Sequence, residues 1–195
     1  MKLSYFSLSV LLIFSLIVFN SSTKAQMNSN KPRASLKAEV MQRIGVDTDI
    51  KIVYSRPGVK GREIWGKLVP YGMAKPDDES KGKPYPWRGG ANENTTIEFS
   101  KDVLVDGNKL PAGTYSLFFI PSEKDWTVIF NKNYKQWGSF SYDQADDALR
   151  ITVTPVKAPF TEWLTYGFDD LAGTSCTAYL QWEKLRVPFK VAVAE

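Results

Sequence analysis

The residues of this chain best suited to chemistry lie between Trp87 and Thr95, in the run Trp-Arg-Gly-Gly-Ala-Asn-Glu-Asn-Thr. An indole, a guanidinium, a carboxylate and two carboxamides fall close together there. Arg, Asn and Glu supply directional hydrogen bonds, and adjacent glycines let a backbone bend sharply and approach a partner closely. The stretch therefore predicts a polar cluster held by a rigid scaffold, without specifying a reaction.

A second polar stretch, Tyr54–Arg62, carries three cations around the turn signal Pro57-Gly58. Arginine forks match carboxylates and phosphates, and aromatic rings offer a platform for sugars. We predict that folding brings the two stretches together at one end of the domain as a ligand-binding site. Its candidate residues are Arg56, Lys60, Arg62, Trp87, Arg88, Asn92 and Glu93. Such a site would suit an acidic glycan, a peptide terminus or an envelope protein.

Three alternatives stand beside this prediction. The charges could form an architectural network in which Arg88 and Glu93 pair with each other or with Arg56. Glu93 could instead be one of two carboxylates of a glycan hydrolase, with Glu98, Asp143 or Asp146 as the second. A structural envelope role, through a sheet edge or the aromatic loop around Trp137, is the third.

The composition narrows the possible chemistry. The chain contains no histidine, so Ser-His-Asp and Cys-His catalysis and most catalytic zinc sites are excluded. No recognised catalytic motif is present, and the catalytic residues, if any exist, are unknown. The acidic run Asp77–Glu79 lacks the ligand spacing of a calcium loop, so no metal and no cofactor are predicted. Cys176 is the only cysteine and is expected to be a small buried residue.

The N-terminus predicts export. Lys2 precedes the apolar run Leu8–Phe19, and polar residues then lead to Ala25, which is the order of a secretory signal peptide. We expect cleavage near Ala25-Gln26 and a periplasmic or extracellular protein. The apolar run is shorter than the roughly 20 residues of a membrane-spanning helix, so no transmembrane anchor is predicted.

The mature chain carries only a small net charge. Loss of Lys2 and Lys24 with residues 1–25 leaves 23 of the 25 basic residues against 21 acidic ones. The mature chain also lacks a Lys/Arg-rich block, which argues against a nucleic-acid partner.

The elements that must position the site are strands. Alternating runs such as Ile50–Tyr54, Ile97–Phe99 and Cys176–Trp182 place apolar residues on one face, with turn signals at short intervals. Roughly nine or ten short strands predict an antiparallel β-sandwich, with a flattened β-barrel as the alternative. Residues 26–34 read as a flexible lead-in and 35–195 as a single domain. Pro188 predicts a sheet edge or a bulge, because it cannot donate to a ladder.

Several short motifs in one order carry a resemblance to a known family. They are Tyr54-Ser55-Arg56-Pro57, Val59-Lys60-Gly61-Arg62, Leu68-Val69-Pro70-Tyr71-Gly72, Trp87-Arg88, Gly90-Ala91-Asn92-Glu93, Leu110-Pro111-Ala112-Gly113-Thr114-Tyr115 and Trp126-Thr127-Val128-Ile129-Phe130-Asn131. Over about residues 35–193 the chain resembles the bacterial exported family called domain of unknown function 2911. The resemblance implies a secreted β-rich domain and brings no established activity, cofactor or catalytic residue.

The chain departs from the family pattern at two places beside the candidate site. The family usually passes almost directly from the Val-Pro-Tyr-Gly motif to Trp-Arg, whereas this chain inserts Met73–Pro86, which reads as an exposed segment. The family also usually has Thr where this chain has Gly89.

Overall fold

The computed structural model of the protein describes residues 32–194. The predicted signal peptide and cleavage site, and the lead-in as far as residue 31, lie outside them. The described chain forms ten strands: β1 (Leu36–Ile44), β2 (Thr48–Arg56), β3 (Thr96–Phe99), β4 (Val103–Val105), β5 (Asn108–Leu110), β6 (Gly113–Ile120), β7 (Trp126–Asn131), β8 (Asp147–Val153), β9 (Val156–Ala172) and β10 (Ser175–Val193). A short 3₁₀ turn, Gln144–Asp146, precedes β8. No helix in this part of the chain has the length and hydropathy needed to cross a membrane.

The strands form two antiparallel sheets, which confirms the predicted sandwich. One sheet has six strands in the order β1-β2-β3-β6-β7-β8, and the other has four in the order β5-β4-β10-β9. Two open sheets rather than one closed sheet account for all ten described strands, so the flattened barrel is not the architecture.

The alternation read from the sequence places the core between the sheets. Ile50, Ile52 and Tyr54 of β2 are buried, whereas Lys51 and Val53 between them are partly exposed. Cys176 is also buried, as expected, and desolvation raises the pKa of its thiol to about 11.

A cluster of tryptophans fills one part of the core. The Trp65 ring lies 5.0 Å from that of Trp126 and 5.8 Å from those of Trp87 and Trp182, all edge-on. Trp126 and Trp182 are fully buried, and burial of large aromatic side chains dominates the stability of such cores. This rigid cluster supports the cleft described below, because Trp87 and Trp182 also line it.

The Met73–Pro86 insertion covers part of the outer face of the six-stranded sheet. Phe118 of β6 and Ile129 of β7 form a small second cluster with Tyr142, and Met73 and Tyr85 pack against it. This coverage explains why β6 reads as a nearly continuous apolar run, since residues on both of its faces are buried. The insertion is exposed over Lys75–Glu79, as predicted, but its two ends are part of the fold.

Strand β10 runs without interruption from Ser175 to Val193. It pairs with β9 through Arg186 and with β4 from Val191 onward, with register shifts earlier along the strand. Pro188 lies between these two pairings, where neither neighbour is in register with it. The residue therefore falls at a break in the ladders of an inner strand, which is a position that tolerates a missing donor.

Candidate functional site

The Trp87–Thr95 stretch is a loop clamped to β6 at both ends. Trp87 exchanges two backbone hydrogen bonds of 2.8 Å with Phe119, and the Leu117 N–H donates to the Thr95 carbonyl at 2.9 Å. The chain separates from β6 after Trp87, pairs with it again at Thr95 and then enters β3. The polar residues of the motif therefore lie on a short loop whose two ends are held by sheet hydrogen bonds, which limits their freedom to move.

The glycines of this loop are required by its close packing. Gly89 has φ of +60°, and a Cβ there would overlap the Tyr166 hydroxyl and lie 2.6 Å from the Phe119 ring. The Tyr166 hydroxyl also donates to the Gly89 carbonyl at 2.9 Å. A Thr at this position would meet both the strained φ and the overlap, so this backbone conformation requires glycine.

A cleft of about 310 Å³ opens beside the loop. Its polar lining comes from Ser35, Arg62, Arg88 and Asn92, and its apolar lining from Pro57, Leu68, Val69, Ala91, Trp87 and Trp182, with Gly90 between them. Four of the seven predicted site residues thus line one cleft: Arg62, Trp87, Arg88 and Asn92. Among residues 32–194, the lining contains no Asp, Glu or Lys, so the charges that these residues contribute are two guanidiniums.

Arg88 is held in place without being neutralised. Its Nη1 donates to the Asn92 carbonyl at 2.7 Å, and its Cζ lies 4.8 Å from the centre of the Phe140 ring. Gly138 packs so closely that an added Cβ would lie 2.8 Å from Nη1. Within residues 32–194 no carboxylate lies within 4.0 Å of this guanidinium.

The electrostatics of Arg88 reflect this arrangement. Burial lowers the pKa of its guanidinium, and the more distant Tyr85, Glu79 and Asp77 oppose only part of that effect. Arginine stays protonated at neutral pH even so, because its pKa starts above 12. The side chain therefore carries a partly desolvated positive charge at the cleft wall, which favours an anion beside it.

Arg62, on the other polar stretch, is an exposed residue that is also held by backbone carbonyls. Its Nε donates to the Val59 carbonyl at 3.1 Å, and its Nη2 donates to the Gly58 carbonyl. These bonds close the turn after Pro57, and they leave Nη1 without a hydrogen-bond partner among the described residues. Arg62, like Arg88, is oriented by backbone carbonyls and has no ion-pair partner within the described chain.

Glu93 lies outside the cleft lining, in an ion pair that the sequence did not indicate. Arg33 donates to both of its carboxylate oxygens, and the Ser55 hydroxyl donates to Oε2 at 3.0 Å. The hydrogen bonds from Arg33 are the main reason that the pKa of Glu93 falls to about 2. A carboxylate so stabilised stays ionised at neutral pH and is poorly suited to act as a general acid.

Arg56 and Lys60 also lie outside the cleft, because strand β9 turns them away. The Leu164 carbonyl accepts from Arg56 Nε at 2.9 Å, and Arg56 lines a separate cavity with Trp163. The Lys60 N–H donates to Glu162 Oε1 at 2.9 Å, and its ammonium lies 5.6 Å from the centre of the Trp163 ring. Of the predicted residues, these two and Glu93 serve to hold the loops.

The structure adds residues that the sequence analysis did not select. Phe140 and Gly138 flank Arg88 although they lie about 50 residues away in sequence, and no local pattern marks them. Tyr85 of the insertion packs edge-on against Phe140 at 5.0 Å, so the insertion supports the ring on which Arg88 stacks. Leu68 and Val69 belong to a motif noted for the family, which was the one signal available for them.

The other carboxylates proposed for catalysis serve other contacts. Glu98 pairs with Lys51 at 3.0 Å, and Asp143 caps the 3₁₀ turn that contains Asp146. None of them lines the cleft. Among residues 32–194, no group of three or more His, Cys, Asp or Glu side chains could hold a metal ion.

Comparison with known proteins identifies the family. The family model described as "Protein of unknown function (DUF2911)" matches residues 35–191, which is most of the chain. The chain belongs to this family. The match confirms the resemblance carried by the short motifs, five of which contribute residues to the cleft. No significant match was found among curated proteins or among solved structures.

Proposed function

We propose that this DUF2911 protein is an exported, non-catalytic binding domain whose cleft holds the anionic group of a ligand between Arg62 and Arg88. The main support for the proposal comes from the contacts of the Arg88 guanidinium. The guanidinium lines the cleft, is fixed by the Asn92 carbonyl and the Phe140 ring, and has no carboxylate partner among residues 32–194.

A comparison within the same chain supports this reading. Arg186 is also partly buried and stacks on an aromatic ring, with its Cζ 3.6 Å from the centre of Tyr179. It nevertheless pairs with Asp169 at 2.6 Å, as expected for a structural arginine. Since desolvating a charge is costly unless it is compensated, the missing partner of Arg88 favours a compensating anion from outside the chain.

A two-carboxylate hydrolase is less well supported. Such an enzyme needs two carboxyl groups about 5–10 Å apart across a cleft, one of them with a raised pKa. Glu93 has a lowered pKa and is bound by Arg33, and no carboxylate of the described residues lines the cleft. The donors present can bind an anion but offer no general acid or base near neutral pH.

The proposal is tested by thermal-shift screening of the mature protein against acidic saccharides, carboxyl-terminal peptides and nucleotides. A ligand at 100 times its Kd stabilises the folded state by about 2.7 kcal/mol, which such screening detects. We expect at least one anionic class to raise the Tm of the wild type and of the matched control R186Q, but not of R88Q.

The same experiment can contradict the proposal. If no class shifts the wild type, and R88Q alone lowers the free energy of unfolding by several kcal/mol, Arg88 is a structural brace. Export is tested separately by intact-mass measurement of secreted protein. A chain that begins at Gln26 supports it, and one that begins at Met1 contradicts it.

A further inference from the structure

We infer that the ligand of this cleft is an acidic saccharide, in which a sugar ring bearing a carboxylate lies against the apolar wall with its carboxylate on Arg88 and Arg62. The inference rests on the proposed function and narrows it to one chemical class.

The charged part of the lining selects for a carboxylate without a nearby ammonium. Within the described part of the chain, Arg62 and Arg88 are its only charges, and no Asp or Glu lines it to receive a cation. The nearest acidic residue of the motif, Glu93, is already compensated by Arg33. A free amino acid or a peptide N-terminus would therefore bring an ammonium group to a positively charged wall.

The remainder of the lining fits a ring better than a bare anion. Pro57, Leu68, Val69, Trp87 and Trp182 give the cleft an apolar side, which inorganic phosphate would leave unused. Ser35 and Asn92 carry the uncharged polar side chains of the lining, and each can both donate and accept, as sugar hydroxyls do. A volume of about 310 Å³ is at the small end of ligand sites, which suits one ring of a longer chain.

The same cleft is less suited to bind the carboxyl terminus of a peptide. Peptide recognition needs acceptors for backbone N–H groups as well as donors for the carboxylate. Three carbonyls beside the arginines, those of Gly58, Val59 and Asn92, already accept from Arg62 or Arg88. Among the described lining residues, side-chain donors outnumber side-chain acceptors, because the two arginines only donate.

An exposed tryptophan lies next in sequence to a residue that contacts Arg88, outside the residues that line the cleft. Trp137 has 60% of its surface exposed, and it directly precedes Gly138, whose backbone packs against the Arg88 guanidinium. Consecutive Cα atoms are 3.80 Å apart, so the Trp137 backbone lies close to the Arg88 guanidinium. The neighbouring Tyr134 is also exposed, with the Lys135 ammonium 5.6 Å from its ring centre. Aromatic faces beside cations offer stacking for a second ring of an acidic oligosaccharide.

Isothermal titration of the mature protein at low salt tests the inference. The probes are trigalacturonate, a hyaluronan tetrasaccharide, the neutral trisaccharide maltotriose and an N-acetylated alanine tripeptide with a free carboxyl terminus. We expect at least one acidic saccharide to bind ten-fold or more tightly than maltotriose and the peptide. Its affinity should fall ten-fold or more in R88Q and in W137A, and should be unchanged in R186Q. Trp137 is exposed, so W137A is expected to fold like the wild type.

The other outcomes separate this inference from the proposed function. If the peptide binds most tightly through Arg88 and is indifferent to W137A, the saccharide assignment is wrong and the anion-binding cleft stands. If maltotriose equals the acidic saccharides in affinity, both are overturned. If none of the four probes binds, the saccharide assignment is wrong, and the nucleotide arm of the thermal-shift screen decides whether the cleft binds anions.

Discussion

Substitution of Gly89 tests the packing that shapes the candidate site. Gly89→Ala imposes two penalties: an Ala at φ of +60° costs about 1 kcal/mol, and the new Cβ overlaps the Tyr166 hydroxyl and the Phe119 ring. Overpacking of a buried site adds about 2 kcal/mol. The free energy of unfolding should therefore fall by about 3 kcal/mol relative to the wild type.

Gly107→Ala is the matched control for this prediction. Gly107 has φ of +80°, and nothing lies within 4 Å of its added Cβ, so only the conformational cost of about 1 kcal/mol applies. Urea denaturation of both variants gives the comparison directly, provided that the slope of the transition is unchanged. The difference of about 2 kcal/mol measures the overlap alone.

Tyr166→Phe identifies which atoms cause the overlap. Removing the hydroxyl deletes its hydrogen bond to the Gly89 carbonyl but also relieves part of the contact with the new Cβ. Gly89→Ala should consequently cost about 1 kcal/mol less in that background, as a coupling in a double-mutant cycle. Equal losses for Gly89→Ala and Gly107→Ala, with no coupling to Tyr166, would refute the description of this loop.

Three further substitutions probe the surroundings of the cleft. Glu93→Gln should lower the free energy of unfolding at pH 7 by about 1 kcal/mol. The fall in the pKa of Glu93 from 4.5 to about 2 would alone correspond to about 3 kcal/mol. The expected effect is smaller because over a third of the side chain is exposed and its charge is screened by solvent. Because the folded-state pKa of Glu93 is depressed, this stabilisation is complete above pH 4.5 and is lost as the pH falls through 2. Urea titrations at pH 7, 4.5 and 2.5 should therefore show the stabilities of the two proteins converging. A constant difference in stability would contradict the Arg33 pair. Gly138→Ala places a Cβ 2.8 Å from Arg88 Nη1. The substitution should weaken anion binding ten-fold or more in calorimetry while the fold persists. Unchanged affinity would exclude Arg88 from the site. Tyr85→Ala removes the edge contact to Phe140 and the 2.6 Å hydrogen bond to Asp77, and should cost about 2 kcal/mol in urea denaturation; a neutral effect would show that the insertion does not support Phe140.

The fold was predictable because its information is local. Alternation at Ile50, Ile52 and Tyr54 and turn signals such as Asp106-Gly107 report directly on sheets with one buried face. The prediction of a sheet edge or a bulge at Pro188 likewise follows from its missing N–H. Short hairpins and side-chain period then suffice to indicate two antiparallel sheets.

The site was predictable only in part, because its partners are set by tertiary packing. Residue types located Arg62, Trp87, Arg88 and Asn92, which line the cleft. Arg33 lies 60 residues from Glu93, in a segment that reads as lead-in, so the sequence gives no sign of their pairing.

The remaining differences arise from irregular segments. The orientations of Arg56 and Lys60 depend on how β9 meets the turn after Pro57. The Leu164 N–H donates to the Pro57 carbonyl there, and the Val59 N–H donates to the Glu162 carbonyl. Neither contact has a periodic signal, so no reading of the sequence could have shown which way the two cations face.

The central claim is that Arg88 and Arg62 receive an anion, and the signals of their own side chains test it most directly. Arginine Nε–H resonances in two-dimensional NMR spectra of the mature, ¹⁵N-labelled protein would be followed during titration with trigalacturonate and the hyaluronan tetrasaccharide. We predict saturable shifts at Arg88 and Arg62 with a common Kd, and none at Arg186. Unmoved Arg88 and Arg62 signals, or equal non-saturating shifts at all three, would contradict the claim.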